Sequence, residues 1–143
     1  MKAAAVILGI MLAVSASDAQ SMTATEGYFS DATNFGPTLI GQAEKGYVNC
    51  LQSSNDGVVA SALAHVAVMR LALPTRGFSE VESQVAKLVK NASTPGLRYK
   101  AYLTLVVMQH PEIFRNVEHQ GFACCDELYS VLASRLCNYT STR

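Results

Sequence analysis

Four cysteines and three histidines are the residues of this chain best equipped for chemistry: Cys50, Cys124, Cys125 and Cys137, with His65, His110 and His119. A thiolate attacks carbonyls or disulfides once a nearby base has taken its proton. Thiolates and imidazoles together ligate zinc. Neither CxxC nor CxxCH occurs. His119 with Cys124 or Cys125 supplies two ligands where a structural zinc site needs four, so no metal centre is expected. His65 lies in the most apolar stretch of the chain, as a core or groove histidine would. His110 precedes Pro111, where it can bond the last carbonyls of a helix. The patterns GxSxG, HExxH, P-loop and GxGxxG are absent, and with them the chemistries they carry. The carboxylates are scattered, with no pair placed for acid and base work. The sequence therefore predicts no catalytic residue and no cofactor, and points to a non-catalytic role.

The chain opens with the layout of a secretory signal peptide. Lys2 is followed by the apolar run Ala3 to Val14, and Ser17-Asp18-Ala19 is a small-x-Ala cleavage site before Gln20. Val14-Ser15-Ala16 is a second such site. The run of about 12 apolar residues falls short of the ~20 that a membrane span needs. No cysteine follows it for a lipid anchor. A secreted or periplasmic protein with no stable span after cleavage is expected, in a compartment that permits disulfides. The remaining chain of about 124 residues suits one domain with one core. Its formal net charge is zero, with 11 basic and 11 acidic residues. A neutral chain with no basic cluster has no electrostatic footprint for nucleic acid.

After a polar leader over residues 20–35, the pattern is helical to residue 137. Pro37 opens a first helix that runs to near Leu51, with Ile40, Ala43, Tyr47, Cys50 and Leu51 on one face. A second spans about 57–73; of the sixteen residues from Val58 to Leu73 only Ser61, His65 and Arg70 are polar. A helix apolar on nearly every side is buried on nearly every side. Asn55 or Asp56 can cap it, and Pro74 stops it. The third, from Ser79 to about Ala92, has Ser79 and Glu82 at capping-box spacing. Its core face is Val81, Val85, Leu88 and Val89, and Glu82, Lys87 and Lys90 face solvent. The fourth runs from the Thr94-Pro95 cap to near Gln109, with Leu97, Ala101, Leu105 and Met108 as its core stripe, widened by Tyr102, Val106 and Val107. A short turn then carries Ile113, Phe114 and Val117 inward. The last helix, about 122–137, buries Phe122, Cys125, Leu128, Tyr129, Leu132 and Leu136. The tail over 138–143 is expected to fray.

These helices repeat. Gly57 and Gly96 each stand five residues before an alanine (Ala62, Ala101) and twelve before a methionine (Met69, Met108), and both stretches end at a proline. The third and last helices each open on Gly-Phe, at Gly77 and Gly121, and Val81, Val85 and Leu88 align with Cys125, Tyr129 and Leu132. Two helices in a unit of about 40 residues resemble the HEAT and armadillo repeats. The resemblance covers about 36–137 and lacks the family's usual inter-helix Asp and Arg pattern. It implies an all-α fold, a short right-handed array of antiparallel helix pairs. A compact five-helix bundle is the alternative.

The cysteines act as a ruler on this choice. Cys124 and Cys125 lie about 18 Å along one helix from Cys137, far beyond the ~7 Å a disulfide spans between Cα atoms. An intrachain bridge has to use Cys50, with Cys124 as its candidate partner. A closed bundle permits that pair. An open array sets Cys50 about 16–20 Å from the last helix and leaves four free thiols.

Repeat arrays present extended surfaces, so the resemblance implies a module that binds another protein. A carrier of a small apolar ligand is the second reading, its pocket lined by Met69, Tyr102, Met108 and Phe114. A thiol-redox protein working through Cys124 or Cys125 is the third. The sequons at Asn91 and Asn138 matter only in a eukaryotic secretory route.

Overall fold

The computed structural model describes residues 36–117 and 120–142. The expected signal peptide and leader, and His119, lie outside them. The described residues are all-helical. Five α-helices follow in order: α1 Pro37–Leu51, α2 Asp56–Ala72, α3 Ser79–Asn91, α4 Pro95–Gln109 and α5 Cys125–Ser141, with a single 3-10 turn at Pro111–Phe114 between the last two.

Local chemistry sets most of these boundaries. The Asn55 side chain accepts hydrogen bonds from the backbone N–H groups of Gly57 (2.9 Å) and Val58 (3.3 Å), satisfying donors that have no partner inside α2. Thr94 does the same for Leu97 N at the start of α4, 3.2 Å away. Both helices end on a residue outside helical space, Leu73 and His110, each followed by a proline. Replacing Asn55 by Ala should lower stability by about 1 kcal/mol. Urea unfolding checks this as a lower midpoint with an unchanged slope.

The core is one continuous cluster centred on α2 and α4. These two helices run parallel. Asp56 meets Ser93 (2.6 Å), Leu63 O meets the Thr104 hydroxyl (3.4 Å), and Arg70 Nε donates to Met108 O (2.9 Å), so positions advance together along both. The α3 helix runs antiparallel to α4, with Gln109 Nε2 donating to Glu82 Oε1. Hairpin α1–α2 thus stacks on hairpin α3–α4, α1 against α3 and α2 against α4. The α5 helix runs parallel to α4 and packs on α2, α4 and the 3-10 turn. The Gly-Phe correspondence between α3 and α5 is therefore not matched by their principal neighbours, since α3 packs on α4 and α1.

Four expectations are corrected by side-chain detail. The capping box does not form: Phe78 occupies the N-cap of α3, no side chain caps it, and Glu82 turns to Gln109 instead. Phe78 is buried, so packing decides where this helix begins. The inner face of α4 keeps Leu97, Ala101, Val107 and Met108 as expected but is completed by Leu103 and Thr104, while Leu105 and Val106 are half-buried and Tyr102 is exposed. The last helix begins at Cys125 rather than residue 122, with Glu127 Oε2 accepting from Ala123 N at 2.7 Å. It continues through the tail expected to fray. There the hydroxyls of Thr140 and Ser141 donate to Cys137 O, both at 2.9 Å, and Thr142 donates to the carbonyls of Asn138 and Tyr139, giving late carbonyls partners.

Two arginines fasten the connections. Arg70 reaches Met108 O at the end of α4 and Arg76 O in the α2–α3 loop. Arg98 Nη1 donates to Ala92 O, 2.8 Å away, across the α3–α4 link. Each gives a buried or half-buried carbonyl a charged donor, the stronger class of hydrogen bond.

Candidate functional site

Three surface features combine side chains from different elements. The first is an open groove of about 400 Å³ between the end of α1 and the first half of α2, lined by Cys50, Asn55, Gly57, Val58, Ser61, Ala62 and His65. Cys50 arrives here because it lies on the outward face of α1, four residues after Gly46. His65 arrives because it shares a face of α2 with Val58 and Ser61, at helical spacings of three and four. The His65 ring meets Tyr47 edge-on, with centroids 6.3 Å apart and planes at 81°. The Asn55 carboxamide oxygen is committed to capping α2. The groove thus holds a free thiol and an imidazole in mainly apolar surroundings. Neither the spacing of Cys50 and His65 nor any local motif marks them as a pair. Only the α1–α2 hairpin geometry brings them to one place.

The second is a shallow recess of about 230 Å³ at the other end of α2, lined by Leu71, Pro74, Pro111, Glu112 and Arg115. His110 Nδ1 lies 3.2 Å from Glu112 Oε1. The Glu112 carboxyl is held below its usual range, first by its own backbone N–H and then by His110 and Arg115. Next to it Asn116 is left-handed (φ 68), a conformation asparagine tolerates better than most residues.

The third is the outer face of α4. Tyr99 is 53% exposed and Tyr102 45%, and half-buried Val106 continues the same face one turn on. Lys100 flanks it, bonded to Asp126 (2.7 Å) with its ammonium 5.6 Å from the Tyr129 ring centroid.

The residues expected to line a ligand pocket do not come together around a cavity in either groove. Met69, Met108 and Phe114 are core side chains, whereas Tyr102 points outward. Cys50 and Cys124 are both exposed, and all four cysteines are free thiols. Cys124 occupies the N-cap of α5 without bonding it, and Cys125 is half-buried on the inner side of that helix. No group of three or more His, Cys, Asp or Glu among the described residues could hold a metal ion. No described helix is long and apolar enough to cross a membrane.

No protein family, curated protein or solved structure matches this chain.

Proposed function

We propose that this chain is an exported, short HEAT-like helical module that binds another protein, and that the outer face of α4 is the binding surface. The observation that carries the reading is the stripe of exposed Tyr99 and Tyr102 with half-buried Val106, on a helix whose inner face is core. Tyrosine gives a large, rigid contact area with a polar tip at little entropic cost, so it is enriched at interfaces and at their energetic centres. Neither tyrosine is needed to close the core, since Leu97, Ala101, Leu103, Thr104, Val107 and Met108 already do that. Export rests on the signal-peptide layout ending at Ala19. The repeat reading is supported by the parallel stacking of α2 on α4 and of hairpin on hairpin. The ligand-carrier reading has less support, because Met69, Met108 and Phe114 are packed against their neighbours.

The test is a photo-crosslinking residue placed at position 102 of the secreted protein, with mass spectrometry of the adducts. One dominant protein adduct is expected. Its affinity for the purified module should fall tenfold or more in Tyr99→Ala/Tyr102→Ala, in line with the roughly 2 kcal/mol or more of a hot-spot residue. Helicity and thermal midpoint should stay unchanged. Equal binding by the double variant removes the α4 face from the proposal. A co-purifying apolar small molecule favours the carrier instead.

A further inference from the structure

The two central helices share one register. Asn55 caps α2 and Thr94 caps α4, and the same separation along the chain relates Ala62 to Ala101 and Met69 to Met108. It also relates Asp56, Ala60, Leu63, Ala67 and Arg70 on α2 to Pro95, Tyr99, Tyr102, Val106 and Gln109 on α4. Spacings of four, three, four and three make each set one stripe. The α2 stripe faces α4. Asp56 at its start bonds Ser93, Arg70 at its end bonds Met108 O, and Leu63 O between them takes the Thr104 hydroxyl. There Leu63 and Ala67 have no exposure, because the next hairpin covers them. One hairpin further on the same stripe is open, with Tyr99 and Tyr102 exposed and Val106 half-buried. It is the stacking face of the repeat. A repeat that ends an array carries a polar outer face, whereas this one ends in two tyrosines and a valine.

What a stacking face accepts can be read from α4 itself. Toward α2 it turns Leu97, Ala101, Thr104 and Met108, all buried. Their counterparts on α2 are Val58, Ala62, His65 and Met69. His65 stands two residues on from Leu63, so these counterparts lie across α2 from its α4-facing stripe. The groove of about 400 Å³ lies on that side, with Gly57, Val58, Ser61 and Ala62 as small lining residues. Val58 is 40% exposed. The groove provides the room that tyrosines need where α2 itself has Ala60 and Leu63. Tyr99, Tyr102 and Val106 on one face, and these four small residues on the other, are all uncharged, so contact between them strips water from no ion.

We infer that the protein bound by the α4 face is a second copy of this chain, stacked head to tail. Tyr99 and Tyr102 of one copy seat in the α1–α2 groove of the next, Tyr99 toward Val58 and Tyr102 toward His65. The contact repeats between chains what α4 makes with α2 inside one chain. This names the partner of the α4 face and rests on that reading. Because the two faces differ, the contact does not close at two copies, and the assembly lengthens with concentration.

Sedimentation velocity of the secreted chain under reducing conditions should show a sedimentation coefficient that climbs with concentration, through the dimer and beyond. Tyr102→Arg spoils the α4 face and Val58→Arg spoils the groove. Each alone should raise the concentration needed for assembly tenfold or more, with helicity unchanged. Mixed in equal amounts, the two variants should pair and stop at the dimer, because each keeps the face that the other lacks. That rescue also shows both to be folded. A parent that stays monomeric at every concentration overturns the inference and leaves the α4 face to a different protein, which the crosslink at position 102 identifies. Dimers that survive Val58→Arg overturn it as well, since they join α4 to α4. Assembly that survives Tyr102→Arg removes the α4 reading along with it.

Discussion

Phe114→Ala lowers the stability of the domain by about 3–5 kcal/mol, the range for emptying a fully buried aromatic site. Among the described residues Phe114 is the largest side chain with no exposure at all. It projects from the 3-10 turn Pro111–Phe114, which packs against α2, α4 and α5 together. Its removal does more than leave a cavity, because α5 is held to the α2–α4 layer partly through this turn. Single domains retain only about 5–15 kcal/mol of net stability, so the variant should sit near its unfolding threshold at growth temperature. Thermal unfolding by circular dichroism should show a midpoint lower by roughly 15 °C or more, at about 4–8 °C per kcal/mol for a domain of this size. Hydrogen exchange separates the two parts of the effect. Amides of α5 should lose protection first, while those of α2 and α4 keep theirs until global unfolding. Ile113→Ala, next door but half-buried, should cost clearly less. A Phe114→Ala protein as stable as its parent would mean that the turn does not join α5 to the core.

The contrast between Phe114 and Glu82 shows what was legible in the sequence. Phe114 was readable as an inward residue because proline, an apolar run and the preceding helix end leave little choice of direction. All five helices were readable for similar reasons: prolines and N-cap residues punctuate them, and apolar positions recur at three and four. Glu82 was misread because the capping-box spacing is a local rule, and the side chain found a better use across the interface with Gln109. Tyr102 was misplaced by the same kind of override, and Thr104, a polar residue, gave no sign that it would be buried. From Ala101 to Met108 apolar side chains run almost all round α4, so the pattern places Leu97, Ala101, Val107 and Met108 inside but leaves the edges of that face to the neighbours α2, α3 and α5. The meeting of Cys50 and His65 was not legible at all. It depends on how α1 crosses α2, which no spacing within either helix encodes. The free thiols fit either a bundle or an array, so the cysteine ruler does not choose between them.

Thr104 and Tyr129 carry the other large effect, and here the double variant is expected to cost less than its two single variants added together. Thr104 is fully buried, and its hydroxyl lies 2.9 Å from the Tyr129 hydroxyl and 3.4 Å from Leu63 O. Thr104→Val takes away the partner of a buried phenol and should cost about 1–3 kcal/mol, the desolvation penalty of an unsatisfied group. Tyr129→Phe leaves the Thr104 hydroxyl with Leu63 O and should cost only about 0.5–1.5 kcal/mol. The pair replaced together should cost less than the sum, because no buried polar group is then left without a partner. The pH dependence is a second, independent readout. Burial raises the Tyr129 pKa well above the ordinary tyrosine value; the Thr104 hydrogen bond offsets part of this, and nearby Cys125 adds a smaller rise. The folded chain therefore keeps this proton where the unfolded chain, with a tyrosine pKa of about 10, releases it. Below pH 10 both states are protonated and Tyr129 adds no slope. Above pH 10 the unfolded state binds fewer protons, so stability falls as pH rises, by up to about 1.4 kcal/mol per pH unit for the one group. Urea midpoints at pH 9, 10, 10.5 and 11 should decline more steeply for the parent than for Tyr129→Phe, which lacks the titrating hydroxyl. Parallel declines in the two proteins would show that the phenol ionises as freely in the fold as outside it, and that the buried Thr104–Tyr129 pair is not closed to water.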